Sequence, residues 1–194
     1  MQTDLREAKV TLRKQIRGAL HQISLAARAT QSAQLRDRLK EQAIWKNAGS
    51  ILFFAPLPEE LDLWPLLEEE LAVGKTIALP GFNPAGQSYI ARQVRNLQHD
   101  IALGKFGIRE PAAGCLETPM DRLDLILVPG VAFDRSGRRL GRGQGFYDRL
   151  LMNTGGVKCG IAFDEQLVDD VPAEPHDAKV DFILTPTRLV EIAG

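Results

Sequence analysis

The chain has 194 residues, 44% of them hydrophobic and 25% charged, with a formal net charge of −1. That length suits one domain with a substantial core, and the near-neutral charge excludes general nucleic-acid or membrane binding by bulk electrostatics, so any anion site must be local. Cys115 and Cys159 have no metal-like spacing and fit a reducing cytoplasm, the charged start predicts no signal peptide, and no apolar run approaches the length of a transmembrane helix.

The first element is a helix over Asp4 to His21. Leu5, Leu12, Ile16 and Leu20 fall in one arc at about 100° per residue, and Lys9 and Arg13 share a face inside or beside that arc. Two explanations stand. The cations snorkel to water, or they point into a cleft and hold an anion. Ser24 is a good N-cap for a second helix reaching Ile44, with Leu25, Leu35, Leu39 and Ile44 as its core face.

Ser50 to Ala55 reads as a buried strand, closed by Pro56-Leu57-Pro58, with Glu59 and Glu60 at its C-terminal edge. Ligands gather at such edges in open α/β sheets. Asp62 can cap the next helix, Pro65 sits in its first turn and Gly74 closes it. Thr76 to Leu79 is a short strand ending at Pro80, and Ser88 to Val94 alternates as an edge strand does. Lys105 to Pro111 reads as a loop, in which Phe106 either stacks on a planar ligand or packs locally. Leu123 to Val128 is continuously apolar, as a strand buried on both faces would be.

The next stretch carries the chemistry. Gly141, Gly143 and Gly145 alternate, Arg138, Arg139 and Arg142 stand among them, and Phe146-Tyr147-Asp148 opens a helix. Strand, glycine-rich basic loop and helix together point to a phosphate or nucleotide site, the alternative being a surface loop whose arginines only keep it soluble: glycines admit a close ligand, arginines donate in bidentate fashion, and a helix start adds free N–H groups. A phosphate beside Asp148 suggests Mg²⁺ between them. The loop is neither a Walker loop nor a Rossmann fingerprint. Gly74-Lys75-Thr76 lacks the glycine at position 69, and Phe146 stands where the third Rossmann glycine belongs. Val157 to Phe163 and Val180 to Leu184 complete the strands, with Asp177 before the last one. His21, His99 and His176 form no metal or hydrolase motif. Alternating helices and apolar strands imply a three-layer α/β/α domain, with the first two helices packed across the sheet.

The segment RLGRGQGFYD, preceded by PGVAFD, strongly resembles the signature of the 5-formyltetrahydrofolate cyclo-ligase family, also called 5,10-methenyltetrahydrofolate synthetases. AKVTLRKQIR, PEELDLWPLL, the ALP ending, FGIREP and HDAKVDFILTP extend the resemblance over nearly the whole chain. It implies a mostly parallel sheet and a cleft for ATP and a folate at one sheet edge. The implied reaction turns ATP and 5-formyltetrahydrofolate into 5,10-methenyltetrahydrofolate, ADP and phosphate: phosphorylation of the formyl oxygen makes a leaving group, and N10 attacks the formyl carbon.

The resemblance also implies site residues. Lys9, Arg13, Arg139, Gly141, Arg142, Gly143, Gln144, Gly145, Phe146 and Tyr147 would bind ATP. Ala55, Glu60, Arg142, Gly143, Gln144, Gly145 and Phe146 would bind the folate. Arg142 and Tyr147 would act in catalysis, and Asp148 and Asp177 would hold Mg²⁺. Leu63, Gln144 and Phe146 depart from the family's usual residues. The expectation is a cytoplasmic monomer with a small-molecule substrate, no nucleic acid and no membrane. A phosphosugar isomerase on a related scaffold and a non-catalytic nucleotide or folate binding module are the alternatives.

Overall fold

A computed structural model describes residues 2–104, 107–152, 154–174 and 177–193. Lys105, Phe106 and His176 lie outside the described residues, and with them the stacking role considered for Phe106. In chain order the elements are α1 (Gln2–His21), α2 (Leu25–Glu41), α3 (Ala43–Lys46), β1 (Ser50–Leu52), α4 (Trp64–Ala72), β2 (Thr76–Asn83), β3 (Ser88–Val94), β4 (Ile101–Leu103), β5 (Arg109–Pro111), β6 (Leu125–Pro129), β7 (Ala132–Asp134), β8 (Arg139–Leu140), α5 (Phe146–Leu151), β9 (Val157–Ile161), β10 (Leu167–Val168), β11 (Phe182–Leu184) and β12 (Leu189–Glu191).

Seven strands form the main sheet in the order β12-β11-β9-β6-β1-β2-β3. The five inner strands are parallel, and both edges are antiparallel. From β1 the chain moves one way to β2, then crosses back to β6, β9 and β11. The winding therefore reverses between β1 and β6, which pair at Ile51↔Leu125 and Leu52↔Ile126. The carboxyl ends of those two strands part there and leave a crevice.

The core follows the two-residue period of the strands. Ile51, Phe53, Leu125 and Leu127 face Leu35, Leu39, Trp45, Leu66 and Leu67 of α2, α3 and α4. Leu52, Ile126 and Val128 face the other way, against Phe133 of β7 and Leu150 and Leu151 of α5. The third layer thus combines one short helix with a small sheet, β10-β7-β8. Helix α1 rides on that small sheet through Leu12, Ile16 and Leu20, which meet Val131, Ala132 and Leu140. It does not cross the main sheet as expected.

Several boundaries differ from the sequence expectation. The second helix breaks at Gln42, whose backbone is extended with ψ 144°. A straight helix would put Trp45 about 240° round from Leu39; the break turns its indole into the core, edge-on to Phe53 at 6.0 Å. Leu25, counted in the core face, is 84% exposed at the helix start. Ser24 caps as expected, accepting from Ala27 N at 3.2 Å, and Asp62 accepts from Trp64 N at 3.0 Å. β2 runs through Pro80 to Asn83. A proline is tolerated there because the ladder to β1 ends at Ala78, so no strand partner on that side needs its missing N–H. β1 stops at Leu52, β9 at Ile161, and β11 begins only at Phe182. Part of the expected 105–111 loop is β5, paired with β4.

Candidate active site

β6 ends at Pro129, at the crevice, but the chain does not pass straight into the glycine loop. It first makes the β7–β8 hairpin, closed by Asp134. That carboxylate is fully buried, accepts from Ser136 N and Val171 N at 2.8 Å each, and pairs with Arg138. Arg138 also reaches Asp170. It is spent on the hairpin and faces no ligand. The hairpin instead delivers Arg139 to the crevice with only 3% of its side chain exposed.

The loop then needs its glycines. Gly143 has φ +102° and Gly145 has φ +65°, the latter as N-cap of α5. Residues with a Cβ rarely adopt either conformation. α5 is only six residues long, so loop N–H groups and arginines, more than a helix dipole, define the positive character here.

A cavity of about 380 Å³ opens at the switch point. Phe54 and Ala55 after β1, Pro80 of β2, and Pro129 and Gly130 after β6 border it. Tyr89, Ile108 and Glu110 line one wall, and Gly141, Arg142, Gln144, Gly145, Phe146, Tyr147 and Asp148 line the other. Of the residues expected from sequence, Ala55, Glu60, Arg139, Gly141, Arg142, Gln144, Gly145, Phe146, Tyr147 and Asp148 thus meet around one space.

Four others do not line the cavity. Arg13 Nε donates to Gly141 O at 2.9 Å, and the Arg13 guanidinium stands beside Gly143. Lys9 Nζ lies 2.9 Å from Asp177 Oδ2 and 3.1 Å from Glu174 Oε2. It is not snorkelling into open water. Burial by itself lowers the Lys9 pKa, but its bonds to Asp177 and Glu174 outweigh that and raise it above the ordinary 10.5. The two aspartates assigned to a metal are held by different cations, Asp148 by Arg139 and Asp177 by Lys9. Among the described residues no group of three His, Cys, Asp or Glu side chains could enclose a metal ion.

Glu60 is pinned before any ligand arrives. Its Oε2 accepts from Leu57 N at 2.9 Å, and its Oε1 takes Arg142 Nη2 at 2.8 Å. Arg142 also reaches Glu59 at 3.1 Å. Arg28 fastens the same turn by donating to Glu59 O and, at 3.0 Å, to Leu20 O. Arg139 Nε is buried without a hydrogen-bond partner, next to Tyr147, whose ring centre is 5.9 Å from the guanidinium carbon. Burial pushes the Tyr147 phenol pKa up, so the hydroxyl is a neutral donor.

Sequence reasoning missed Tyr89 and Glu110. Tyr89 Oη donates to Glu110 Oε1 at 3.0 Å, and its ring packs edge-on against Phe146 at 5.0 Å. Glu110 lies in the FGIREP segment that shares in the resemblance, but nothing local marks it or Tyr89 as a site residue; strand pairing brings both to the cavity.

A mostly parallel sheet with a crevice at its switch point, closed by a glycine–arginine loop, defines an α/β protein with a ligand-sized cavity where open α/β sheets bind their ligands. The sequence matches the 5-formyltetrahydrofolate cyclo-ligase family over residues 5–186, and the chain belongs to that family. It is 34% identical to the 5-formyltetrahydrofolate cyclo-ligase of Mycolicibacterium smegmatis, over 91% of this chain and 94% of the relative. It is also 34% identical to the Escherichia coli enzyme of that name, over 74% of this chain and 81% of the relative. The fold is similar to the NMR structure of Aquifex aeolicus 5,10-methenyltetrahydrofolate synthetase, with a TM-score of 0.85 and 32% identity, covering 96% of this chain and 93% of that one. The resemblance carried by RLGRGQGFYD is borne out. Among the described residues no helix is long and apolar enough to cross a membrane.

Proposed function

We propose that this chain, acting as one domain and as a cytoplasmic monomer, converts 5-formyltetrahydrofolate and ATP to 5,10-methenyltetrahydrofolate, ADP and phosphate. The observation that carries this reading is the crevice itself. One cavity is lined by the glycine–arginine loop, by the aromatic and apolar side chains of Phe54, Ala55, Pro80, Tyr89 and Ile108, and by the charged Glu60, Arg109 and Glu110. Phosphate chemistry and a flat heterocycle are thereby offered one shared space.

The formyl oxygen is a poor leaving group as it stands. It takes the terminal phosphoryl group, with the bond to ADP breaking; N10 then forms its bond to the formyl carbon, phosphate departs, and the N10 proton goes to solvent. Such transfer needs positioning and charge neutralisation more than a protein nucleophile. Arg142 and Arg139 would offset phosphate charge from inside the cavity, and Lys9 and Arg13 from outside its lining. The orphaned Arg139 Nε supports this, because a phosphate oxygen would supply its missing acceptor. Gly141, Gly143 and Gly145 would let the loop backbone come close to the ligand, with Gln144 between them. Ala55, Glu60 and Phe146 would bound the folate, and Tyr147 would donate its hydroxyl to a reacting oxygen.

The Asp148 carboxylate has one oxygen to offer a divalent cation. It lines the cavity and uses Oδ1 for Arg139, while Oδ2 has no partner among the described residues. Mg²⁺ held there would supply neutralisation of phosphate charge. Asp177 would join it only after releasing Lys9.

The deciding assay follows the near-ultraviolet absorbance of the methenyl product, with and without ATP. Product formation that needs both ATP and 5-formyltetrahydrofolate supports the reading. Phosphosugar turnover, or binding without ATP consumption, would replace it.

A further inference from the structure

Glu110 sits on β5 in the cavity wall and is only 6% exposed. A buried carboxylate ordinarily has a cation beside it, because its desolvation costs several kcal/mol. Here no Lys, Arg or His among the described residues pairs with it. Its Oε2 accepts from Phe82 N at 3.1 Å, and its Oε1 accepts from Tyr89 Oη at 3.0 Å. A carboxylate has about four acceptor positions, so two remain.

The niche is built for this side chain. A Cβ on Gly104 would come within 2.3 Å of the Glu110 carboxyl carbon, so only glycine leaves room for it. Tyr89, held edge-on between Phe82 and Phe146, ties the carboxylate to the glycine loop. The cavity lining therefore offers two opposite chemistries: the loop arginines for an anion, and Glu110, whose neighbour Arg109 lies over the Trp64 ring, as an acceptor for N–H donors.

A carboxylate pairs best with two adjacent N–H groups. On the folate reading above, which this inference rests on, the two ligands differ on that point. The pterin ring of a folate carries adjacent N3–H and 2-amino donors. Adenine places an acceptor nitrogen next to its amino group, and a carboxylate would repel it. We propose that Glu110, oriented by Tyr89, is the specificity determinant that receives the N–H donor edge of the pterin.

The test is calorimetry on the full chain without ATP, comparing 5-formyltetrahydrofolate with its analogue bearing hydrogen in place of the 2-amino group. Wild-type protein is expected to bind the analogue about tenfold or more weakly. Glu110→Gln keeps the shape and is expected to lose about 10- to 100-fold in folate affinity, lose little toward the analogue, and leave the KM for ATP unmoved. Tyr89→Phe is expected to lose several-fold for the folate only. Equal binding of the two ligands by wild type overturns the proposal, even should Glu110→Gln fail to fold. So does a Glu110→Gln variant that matches wild type, or one that loses both ligands equally, since the carboxylate would then only shape the cavity. A wild-type chain that binds neither folate overturns the folate reading and takes this inference with it.

Discussion

Arg142 Nη2 and Glu60 Oε1 lie 2.8 Å apart across the mouth of the cavity. One is expected at phosphate and the other at folate, yet each holds the other. Glu60 keeps Arg142 close to the cavity while no anion is bound, and a phosphate that draws Arg142 inward frees one Glu60 oxygen. Replacing Arg142 with Ala is expected to raise the KM for ATP about 10- to 100-fold, the range for a lost charge-assisted bond. The guanidinium is half-exposed, so stability should fall by less than about 1 kcal/mol. Steady-state kinetics and a denaturant melt check both numbers. An unchanged KM would leave Arg142 as a partner of Glu59 and Glu60 only.

Lys9 gives a pH-dependent forecast. Its folded pKa lies above the ordinary 10.5 because Asp177 and Glu174 outweigh burial. The stabilisation is therefore complete below about pH 10.5 and fades as pH rises through the higher folded value. Lys9→Met keeps the stem packed. The stability gap between wild type and Lys9→Met should be constant at neutral pH and shrink in strong alkali, and the variant should show a raised KM for ATP. A gap independent of pH would mean that the ion pairs contribute nothing.

Asp148 has two tasks in this structure. It neutralises Arg139, whose side chain is 3% exposed, and it offers an open oxygen to the cavity. Asp148→Asn should cost about 1–3 kcal/mol of stability, since a buried guanidinium loses its counter-charge. Activity should drop much further, with partial recovery at raised Mg²⁺. Thermal melts separate the first effect, and a Mg²⁺ titration of the rate separates the second. Normal turnover at low Mg²⁺ would dismiss the metal role.

Tyr147 presents a hydroxyl with no hydrogen-bond partner among the described residues, in the wall of the cavity. Tyr147→Phe removes only that oxygen. The expectation is a roughly tenfold fall in kcat with stability unchanged within about 0.5 kcal/mol. Should kcat stay at the wild-type value, the ring serves packing alone.

The glycine–arginine segment stood out in the sequence as a candidate anion site because its chemistry is local. Glycines, arginines and a carboxylate fall within one short run; Gly143 and Gly145 take the positive φ that glycine allows, and Gly141, Gly145 and Arg142 line the cavity. Arg138 shows where such reading fails. In sequence it stands beside Arg139, but Arg138 belongs to the turn held by Asp134, whereas Arg139 opens β8. One arginine therefore closes the hairpin on Asp134 while the other reaches the crevice.

By itself the sequence determined the layered α/β character and the glycine–arginine loop, because hydrophobic period, capping residues and glycine demand act between residues close in the chain; the mostly parallel sheet came with the family resemblance. The sequence could not reveal that Tyr89 and Glu110 face that loop, that Lys9 meets Asp177 at a separation of 168 residues, or that α1 rests on the small sheet. Those depend on which strands pair and on where the winding reverses. That choice is made by burial summed over the whole core, and no short stretch of the chain encodes it.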